Sequence, residues 1–376
     1  MVLKFGLSYI NPAKGQFGEF SLSSQQINVL KGMLIALVVL FHVPSKNALF
    51  LDVRAGAYNF HAVGFLVLSL GYSLPTRPLW GLLLSRFLRY YVPMLWFSGL
   101  AGILSLTAIH LQIDLPNMVQ PNLSLFMKAI LLGTAPVIDE AIGFQLYWFL
   151  PALFGLFLYR LFCLAVPFYS IHAILLIISF VLFLIMGQFS REFLANIPIF
   201  LTISLYSVFL SVSVFAVVRP MLTKTGMYAD VLIAVVWIGL MAFLVETERR
   251  YNIAVYDVPT FYDPVGLVSY ILVIALGLRS GISVASIPFV SSVLAFVGRY
   301  SLEIYLGHII VIGGLVAVLQ SSLKLHHDLW HVTVVGILAI AISLGISVLL
   351  RKCHWVARIL FPSGGTSSQR RRLGAK

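Results

Sequence analysis

A lysine and a histidine lie in the first strongly apolar stretch of the chain, with ten residues between them. The stretch reads INVLKGMLIALVVLFHV and contains Lys31 and His42. Ionisable groups are costly in hydrocarbon, so those that occur there are functional candidates by default. If the stretch is a helix, a rise of about 1.5 Å per residue places His42 roughly 16 Å beyond Lys31. With Lys31 at the inner headgroups, His42 lies past the middle of the bilayer, where a neutral imidazole can accept a proton.

Two further apolar stretches carry ionisable side chains. In SRFLRYYVP, Arg86 and Arg89 are three residues apart and therefore share one helical face near the inner end of their helix. In GRYSLEIYLGH, Arg299 lies at the inner end, with Glu303 and His308 deeper. Three or four cations on one side of a membrane can bind a polyphosphate through charge-assisted hydrogen bonds. A histidine farther into the membrane would add a proton acceptor to such a site.

Each of these residues also has an ordinary interpretation. Taken singly, Lys31, Arg86 and Arg89 are equally compatible with topology markers whose charges reach the inner headgroups. His42 and His308 are compatible with buried histidines bonded to helix carbonyls. The combination of several cations on one side with a histidine farther in favours the functional interpretation.

The composition indicates a membrane protein. Of the 376 residues, 60% are hydrophobic and 10% are charged, and the mean hydropathy is +0.99, whereas soluble domains contain about 25% charged residues. The net charge of +12 does not indicate nucleic-acid binding, because the basic residues are scattered among apolar segments. Cys163 and Cys353 suit neither a disulfide framework nor a cysteine-based metal site. No metal is expected.

A membrane-spanning helix needs about 20 mostly apolar residues, and the sequence contains ten such stretches. They cover residues 27–44, 58–75, 83–108, 143–160, 170–188, 196–217, 229–246, 264–280, 293–318 and 330–350. We therefore predict an all-α polytopic membrane protein, a bundle of about ten transmembrane helices. The stretch 123–137 is too short to count and is interpreted as amphipathic or re-entrant. The predicted organisation is an N-terminal tail (1–26), one transmembrane domain (27–359) and a basic, disordered tail (360–376).

The basic residues predict the orientation, because cytoplasmic loops contain an excess of lysine and arginine. With ten spans and a cytoplasmic N-terminus, 18 of the 25 basic residues lie inside and 10 of the 13 acidic residues lie outside. An odd number of spans would leave Arg370–Arg372 outside. Both termini are therefore predicted to be cytoplasmic, with the C-terminal tail lying on anionic membrane lipids.

These motifs together resemble the acyltransferase 3 family of integral-membrane acyltransferases, which includes fucose 4-O-acetylase-like and exopolysaccharide acetylase members. The motifs are Lys31-x10-His42, Arg86-x-x-Arg89 with Pro93 following, QLYWFLPAL at Gln145–Leu153, and GRYSLEIYLGH at Gly298–His308. FLVLSLGYS at Phe65–Ser73 is similar to the family's serine-glycine stretch with one residue inserted. Two features depart from the family: Asn28 stands where an acidic residue is common, and no esterase-like domain is expected after Ile359.

The resemblance implies an acyl-CoA donor, usually acetyl-CoA, and an acceptor hydroxyl on a carbohydrate or lipid-linked oligosaccharide at or beyond the membrane. It also implies a bacterial plasma (inner) membrane protein of exopolysaccharide O-acetylation, with polysaccharide-assembly proteins as candidate partners. The residues expected to bind the donor phosphates are Lys31, Arg86, Arg89 and Arg299. The catalytic candidates are His42, Glu303 and His308, with His42 as general base or as the site of a covalent acyl group.

The acceptor sugar is expected to contact two outer loops rich in acidic and aromatic residues, 139–148 and 251–263. The candidates singled out there are Asp139, Glu140 and Trp148. A different class of function, a transporter or flippase of lipid-linked sugars, fits the same number of spans. Two observations disfavour it: the sequence has no paired half-repeats, and the basic cluster is confined to one side. A structural membrane scaffold is the third alternative, and it would be indifferent to His42→Ala.

Overall fold

The computed structural model describes residues 10–11, 16–17, 22–70, 79–112, 124, 127–128, 148–165, 169–185, 193, 196–218, 221, 227–249, 251, 259, 262–323 and 329–361. Within these residues the architecture is helical, apart from one antiparallel pairing of β1 (Ile10–Asn11) with β2 (Gln16–Phe17). The helices are α1 (Ser24–His42), α2 (Ala48–Tyr58), α3 (His61–Leu70), α4 (Leu79–His110), α5 (Phe149–Ala165), α6 (Tyr169–Ile185), α7 (Ile199–Val218), α8 (Met227–Glu246), α9 (Pro264–Val284), α10 (Pro288–Arg299), α11 (Ser301–Leu323), α12 (Leu329–Lys352) and α13 (His354–Leu360).

Six helices in the described part of the chain are long and apolar enough to cross a membrane. They are Ser24–His42, Trp80–His110, Tyr228–Glu246, Pro264–Val284, Ser301–Leu319 and Trp330–Lys352. Shorter apolar helical segments accompany them at Phe149–Phe162, Ala173–Leu182, Ser207–Val218 and Pro288–Arg299. The helical membrane architecture predicted from composition is confirmed, whereas the number of ten spans stays a prediction. Most of the stretch 123–137 lies outside the described residues.

One predicted stretch begins later than expected and another is not a single helix. Tyr58, the first residue of the stretch 58–75, is the end of α2, and α3 begins at His61 after a turn. Within 293–318, α10 ends at Arg299 and α11 begins at Ser301. Tyr300, at φ −108° and ψ 15°, interrupts the helical backbone between them. The prediction of one helix over 293–318 is therefore wrong, because the backbone conformation of Tyr300 ends one helix within that stretch and the next begins directly after it.

The first helix, α1, is the centre of the bundle and packs against α2, α3, α9, α10, α11 and α12. Its start is fixed by a capping box, in which the Ser23 hydroxyl accepts a hydrogen bond from the Gln26 backbone N–H at 3.2 Å. The Gln26 side chain accepts one in return from the Ser23 backbone N–H at 2.9 Å. These bonds satisfy two N–H groups that a helix start leaves unpaired. Because the start of α1 is fixed, the positions of Lys31 and His42 along the helix axis are fixed as well.

Two glycines bring α1 and α10 into backbone contact. A β-carbon added at Gly32 would overlap the carbonyl oxygen of Leu294, and one added at Gly298 would overlap that of Asn28. Neither glycine therefore accepts a side chain unless the two helices move apart. Because Lys31 directly precedes Gly32, this contact also holds the lysine at a fixed position beside the start of α11.

Ion pairs join α8 to α9 at both ends. At one end, Arg279 donates to Asp230 at 2.7 Å, and the arginine is almost fully buried. At the other, Arg249 and Tyr251 donate to the Asp263 carboxylate at 2.8 Å and 2.7 Å. Asp263 also caps α9, and these bonds, with the Arg249 bond contributing most, lower the pKa of its carboxyl group to about 2. The contacts at the two ends therefore hold α8 and α9 in a fixed register.

Candidate active site

A cavity of about 370 Å³ lies between α1, α3, α4, α5 and α11. Its volume is within the range of sites that bind small molecules, which is about 300–1,000 Å³. Among the described residues that line it, four are basic and none is aspartate or glutamate. The basic residues are Lys31, Arg86, Arg89 and Arg160. The cavity therefore has the electrostatic character of an anion-binding site.

The structure brings Lys31, Arg86 and Arg89 to this one cavity, as their positions in the sequence led us to expect. Arg86 and Arg89 are one turn apart on α4 and face the same space, while Lys31 approaches from α1. The Arg86 guanidinium lies over the ring of Phe157 on α5, 5.6 Å from its centroid. Such a contact orients the planar guanidinium without using its hydrogen-bond donors.

The fourth basic residue, Arg160, was not among the residues predicted to bind the donor; it is one of the 18 basic residues assigned to the inner side. It is 5% exposed, and its Nη1 donates a hydrogen bond to the carbonyl oxygen of Ser69 at 3.0 Å. A signal was present in the sequence: Leu153, Phe157 and Arg160 recur at four- and three-residue intervals, so they share a helical face. All three line the cavity.

The cavity has a basic end and an aromatic end. Along α5, the lining residues run from Phe149 to Arg160, a separation of eleven residue steps that corresponds to about 16 Å. On the neighbouring helix α3, the Ser69 carbonyl meets Arg160, whereas the Phe65 ring is 5.6 Å from the Phe149 ring. The contacts between α3 and α5 therefore identify one basic end and one aromatic end of the cavity.

Two histidines lie beyond the aromatic end. The Tyr305 ring, which lines the cavity, is 5.5 Å from the Phe149 ring and 6.1 Å from the His308 ring. His308 is fully buried, and its ring is 5.2 Å from that of His42. The rings meet edge to face, at an interplanar angle of 77°. Two of the three predicted catalytic candidates, His42 on α1 and His308 on α11, are thus neighbours in space.

Backbone carbonyl groups determine the tautomer of both histidines. His42 Nδ1 is 2.6 Å from the Val38 carbonyl oxygen, and His308 Nδ1 is 2.7 Å from the Tyr305 carbonyl oxygen. Because a carbonyl oxygen can only accept, each Nδ1 carries the hydrogen and each Nε2 keeps a lone pair in the neutral ring. His308 Nε2 is buried and has no hydrogen-bond partner among the described residues. Both rings are prepared to accept a proton at Nε2.

A tyrosine and a third histidine extend this pair. The Tyr58 ring is 6.4 Å from the His42 ring and 5.0 Å from the His61 ring, at the corner between α2 and α3. His61 is 3% exposed, and its Nδ1 is 2.7 Å from the Ala57 carbonyl oxygen. The sequence analysis missed both residues, although an ionisable group in an apolar stretch could have marked His61. In the described ranges, no three histidine, cysteine or acidic residues are grouped closely enough to hold a metal ion.

Glu303 and Arg299 do not line the cavity. The buried Glu303 carboxylate accepts hydrogen bonds from Nε and Nη2 of Arg351 on α12, the first at 2.6 Å. Nη2 also donates to the Arg299 carbonyl oxygen at 3.2 Å, while the exposed Arg299 guanidinium lies 5.2 Å from the centroid of the Phe296 ring. The contacts of Glu303 therefore tie the start of α11 to the end of α12.

The residues predicted to bind the acceptor are only partly described. Asp139 and Glu140 lie outside the described residues. Trp148 is 7% exposed, and its ring is 5.8 Å from that of Phe149, so it packs behind the aromatic end of the cavity.

The chain was compared with known proteins at the levels of family, sequence and structure. A family model described as an acyltransferase domain matches residues 24–352, from the first residue of α1 to the last residue of α12. The match includes every residue that lines the cavity and all three histidines beside it. Neither a curated protein nor a solved structure matches the chain.

Proposed function

Because the chain belongs to the acyltransferase 3 family, we propose that it transfers an acyl group, in the simplest case acetyl, from acyl-CoA to a hydroxyl of a cell-surface or exported carbohydrate. The observation that carries this proposal is the arrangement of one cavity. Its basic end suits an anionic donor, and its aromatic end leads to a pair of neutral imidazoles. A cavity that is basic at one end and reaches proton acceptors at the other suits a long donor with its charge and its reactive group at opposite ends.

The basic end binds the phosphates of the donor. Lys31, Arg86 and Arg89 line it, and in the described part of the lining no carboxylate competes for them. Arginine pairs with phosphate oxygens through two parallel hydrogen bonds, and such charge-assisted bonds are about twice as strong as neutral ones. The charged part of the donor thus stays at the basic end, where no phosphate has to enter hydrocarbon.

The aromatic end guides the neutral arm of the donor toward the histidines. Phe65, Phe149 and Tyr305 line this part of the cavity. On α1, His42 lies about 16 Å beyond Lys31, which is the spacing that the arm has to bridge. The thioester would then be next to Tyr305, one helical turn before His308.

The chemical step is proton removal with acyl transfer. His42 Nε2 takes the proton of the acceptor hydroxyl, whose oxygen attacks the thioester carbonyl carbon. A carbon–oxygen bond forms, the carbon–sulfur bond breaks, and the sulfur leaves with its electron pair. The proton returns from His42 to the thiolate, directly or through His308, so no net proton is consumed. General-base assistance of this kind is worth typically about 10²–10⁴-fold in rate; an acyl-His42 intermediate is a second route to the same products.

The proposed setting is a bacterial inner membrane, with ten spans, both termini in the cytoplasm and the basic end of the cavity facing it. Acyl-CoA is then taken from the side on which it is made, and the carbohydrate acceptor approaches from the outer side. The distribution of basic residues supports this orientation.

The experiment that tests the function compares cells with and without the gene by mass spectrometry of surface and secreted polysaccharide. The expected result is an acyl group on one sugar that disappears with the gene, returns with the parent chain, and does not return with His42→Ala. In parallel, the purified chain is titrated with CoA. Unchanged polysaccharide together with no CoA binding would contradict an acyltransferase of this type.

A further inference from the structure

The helix α2 presents one face to the end of α1 that carries His42. Phe50, Arg54 and Tyr58 recur at four-residue intervals, so they lie on one face of α2. The Phe50 ring is 5.7 Å from the Phe41 ring, and the Tyr58 ring is 6.4 Å from the His42 ring. The first and last residues of this face therefore contact two successive residues of α1, and Arg54 lies between them along α2.

The opposite face of α2 packs against α8. Gly56 follows Arg54 by two residues, which places the two about 200° apart around the helix axis. A β-carbon added at Gly56 would be 3.4 Å from the Val245 side chain and 3.5 Å from that of Met241, both on α8. Asp52 precedes Gly56 by four residues and therefore lies on the same side of α2. The contact with α8 thus leaves the face that carries Arg54 turned toward α1.

His42 is partly accessible, unlike the histidine beside it. His308 is fully buried, whereas His42, Arg54 and Tyr58 are each half-buried. The charge of Arg54 is close enough to act on both the His42 imidazole and the Tyr58 hydroxyl. A molecule that approaches His42 along α2 would therefore meet the Tyr58 ring and the Arg54 guanidinium.

We propose that Arg54 and Tyr58 form the acceptor site beside His42, and that the acceptor carries a carboxylate or phosphate group close to the hydroxyl that is acylated. Arginine binds either group through two parallel hydrogen bonds, and the Tyr58 hydroxyl can donate to or accept from a sugar hydroxyl. Two sources supply such an anion: the carboxylate of an acidic sugar, and the diphosphate that links a sugar to its lipid carrier. This inference rests on the proposed function and adds the chemical class of its acceptor.

The test measures acyl transfer from acetyl-CoA by the purified full-length chain in detergent. One acceptor is the cells' own polysaccharide after removal of its ester groups by mild alkali, and a second is the same material with its carboxyl groups reduced to neutral alcohols. A third is the lipid-linked sugar extracted from the membranes, and a fourth is that sugar freed of its diphosphate. We expect the parent chain to prefer the anionic member of one pair, which identifies the group as carboxylate or phosphate.

The variants measure how much of this preference depends on Arg54. Arg54→Gln should raise the KM for the preferred acceptor about tenfold, because a hydrogen bond to a charged group is lost, and should leave CoA affinity at the parent value. Arg54→Lys should raise that KM less, since lysine keeps the charge without the fork. Lys46→Gln is the matched control, because it removes an exposed cation just before α2. Its KM should stay within about twofold of the parent value, since exposed charge interactions are weak.

The neutral member of the preferred pair separates a ligand from a structural residue. If Arg54 binds the anion, Arg54→Gln raises the KM for the anionic acceptor only, whereas a structural role raises the KM for both. Thermal unfolding shows whether each variant is folded, and if Arg54→Gln is not, Arg54→Lys carries the comparison. A parent chain without preference in either pair, a parental KM in folded Arg54→Gln, or an equal rise for both acceptors overturns the proposal. A parent chain that neither binds CoA nor transfers an acyl group would overturn the proposed function, and this inference with it.

Discussion

His42 on α1 and His308 on α11 place their imidazole rings 5.2 Å apart, edge to face, although they come from opposite ends of the chain. Each ring is held through Nδ1 by a carbonyl of its own helix, so each presents Nε2. The pair is the structural reason for assigning the proton transfer to this part of the bundle.

The first prediction concerns His42. We expect His42→Ala to lower acyl transfer by about 10²–10⁴-fold, because the general base is lost, while CoA affinity remains close to the parent value. The measurement is acyl content of the polysaccharide in cells and CoA titration of the purified variant. His110→Ala, at the exposed end of α4, is the control and should retain transfer. A normal acyl content of the polysaccharide in cells with His42→Ala would contradict the catalytic role of His42.

The second prediction concerns Arg86 and Arg89. Replacing either by alanine should weaken CoA binding by about tenfold or more, since a charge-assisted bond to phosphate is lost. Arg→Lys should restore only part of it, because lysine provides a point charge without the fork. If both alanine variants bind CoA as the parent does, the two arginines are topology markers and not ligands.

The sequence predicted the relationships in this site that lie within one helical segment, and it did not predict the contacts between helices. Lys31 with His42, and Arg86 with Arg89, are related by helical spacing within one segment, which the sequence contains. The bond from Arg160 to Ser69 joins two helices, and no periodicity within either helix reveals it. Composition could not show this contact because interhelical packing is not encoded in either stretch alone.

Neither the break at Tyr300 nor the partner of Glu303 could be predicted from the sequence, because each depends on packing between helices. The interruption at Tyr300 accompanies the close contact of α10 with α1 at Gly298, which joins residues far apart in the sequence. Glu303 was expected to act in catalysis because a lone carboxylate in an apolar helix is costly. Its partner, Arg351, comes from the end of α12 and offsets that cost.

The third prediction separates structure from catalysis at Glu303. Glu303→Gln should lower the free energy of unfolding by about 1–3 kcal/mol, because a buried charged hydrogen bond to Arg351 is lost. Replacing both residues by glutamine should recover part of the stability and leave acyl transfer measurable. Thermal unfolding and polysaccharide acylation are the two readouts. A stable double variant that transfers no acyl group would support the predicted catalytic role of Glu303.

The fourth prediction is a pH dependence of stability at Asp263, which is not one of the residues that line the cavity. The hydrogen bonds from Arg249 and Tyr251 hold the pKa of Asp263 at about 2, below its ordinary value of 3.8. A lowered folded-state pKa gives stability that is present above the unfolded pKa and is lost as the pH falls toward the folded one. The difference in unfolding midpoint between the parent and Asp263→Asn should therefore be constant from pH 7 to about pH 5 and shrink toward pH 2. A difference that does not change with pH would show that Asp263 acts only as a helix cap.

The last prediction is the orientation of the chain, which decides the direction of transfer. The 18 basic residues assigned to the inner side, against 7 on the outer, place both termini in the cytoplasm. The basic end of the cavity then faces the cytoplasm, and His42 lies nearer the outer surface, so an inner donor and an outer acceptor meet inside one protein. This direction has a physical reason, since a polyanionic nucleotide cannot cross hydrocarbon, while a thioester on a neutral arm can reach into it.

Single cysteines introduced in 47–56 and in 251–262 should be labelled by an impermeant reagent from outside, and a reporter fused after Lys376 should be active in the cytoplasm. Labelling of both loops only from the cytoplasmic side, or an outward C-terminus, would reverse the proposed route of the acyl group.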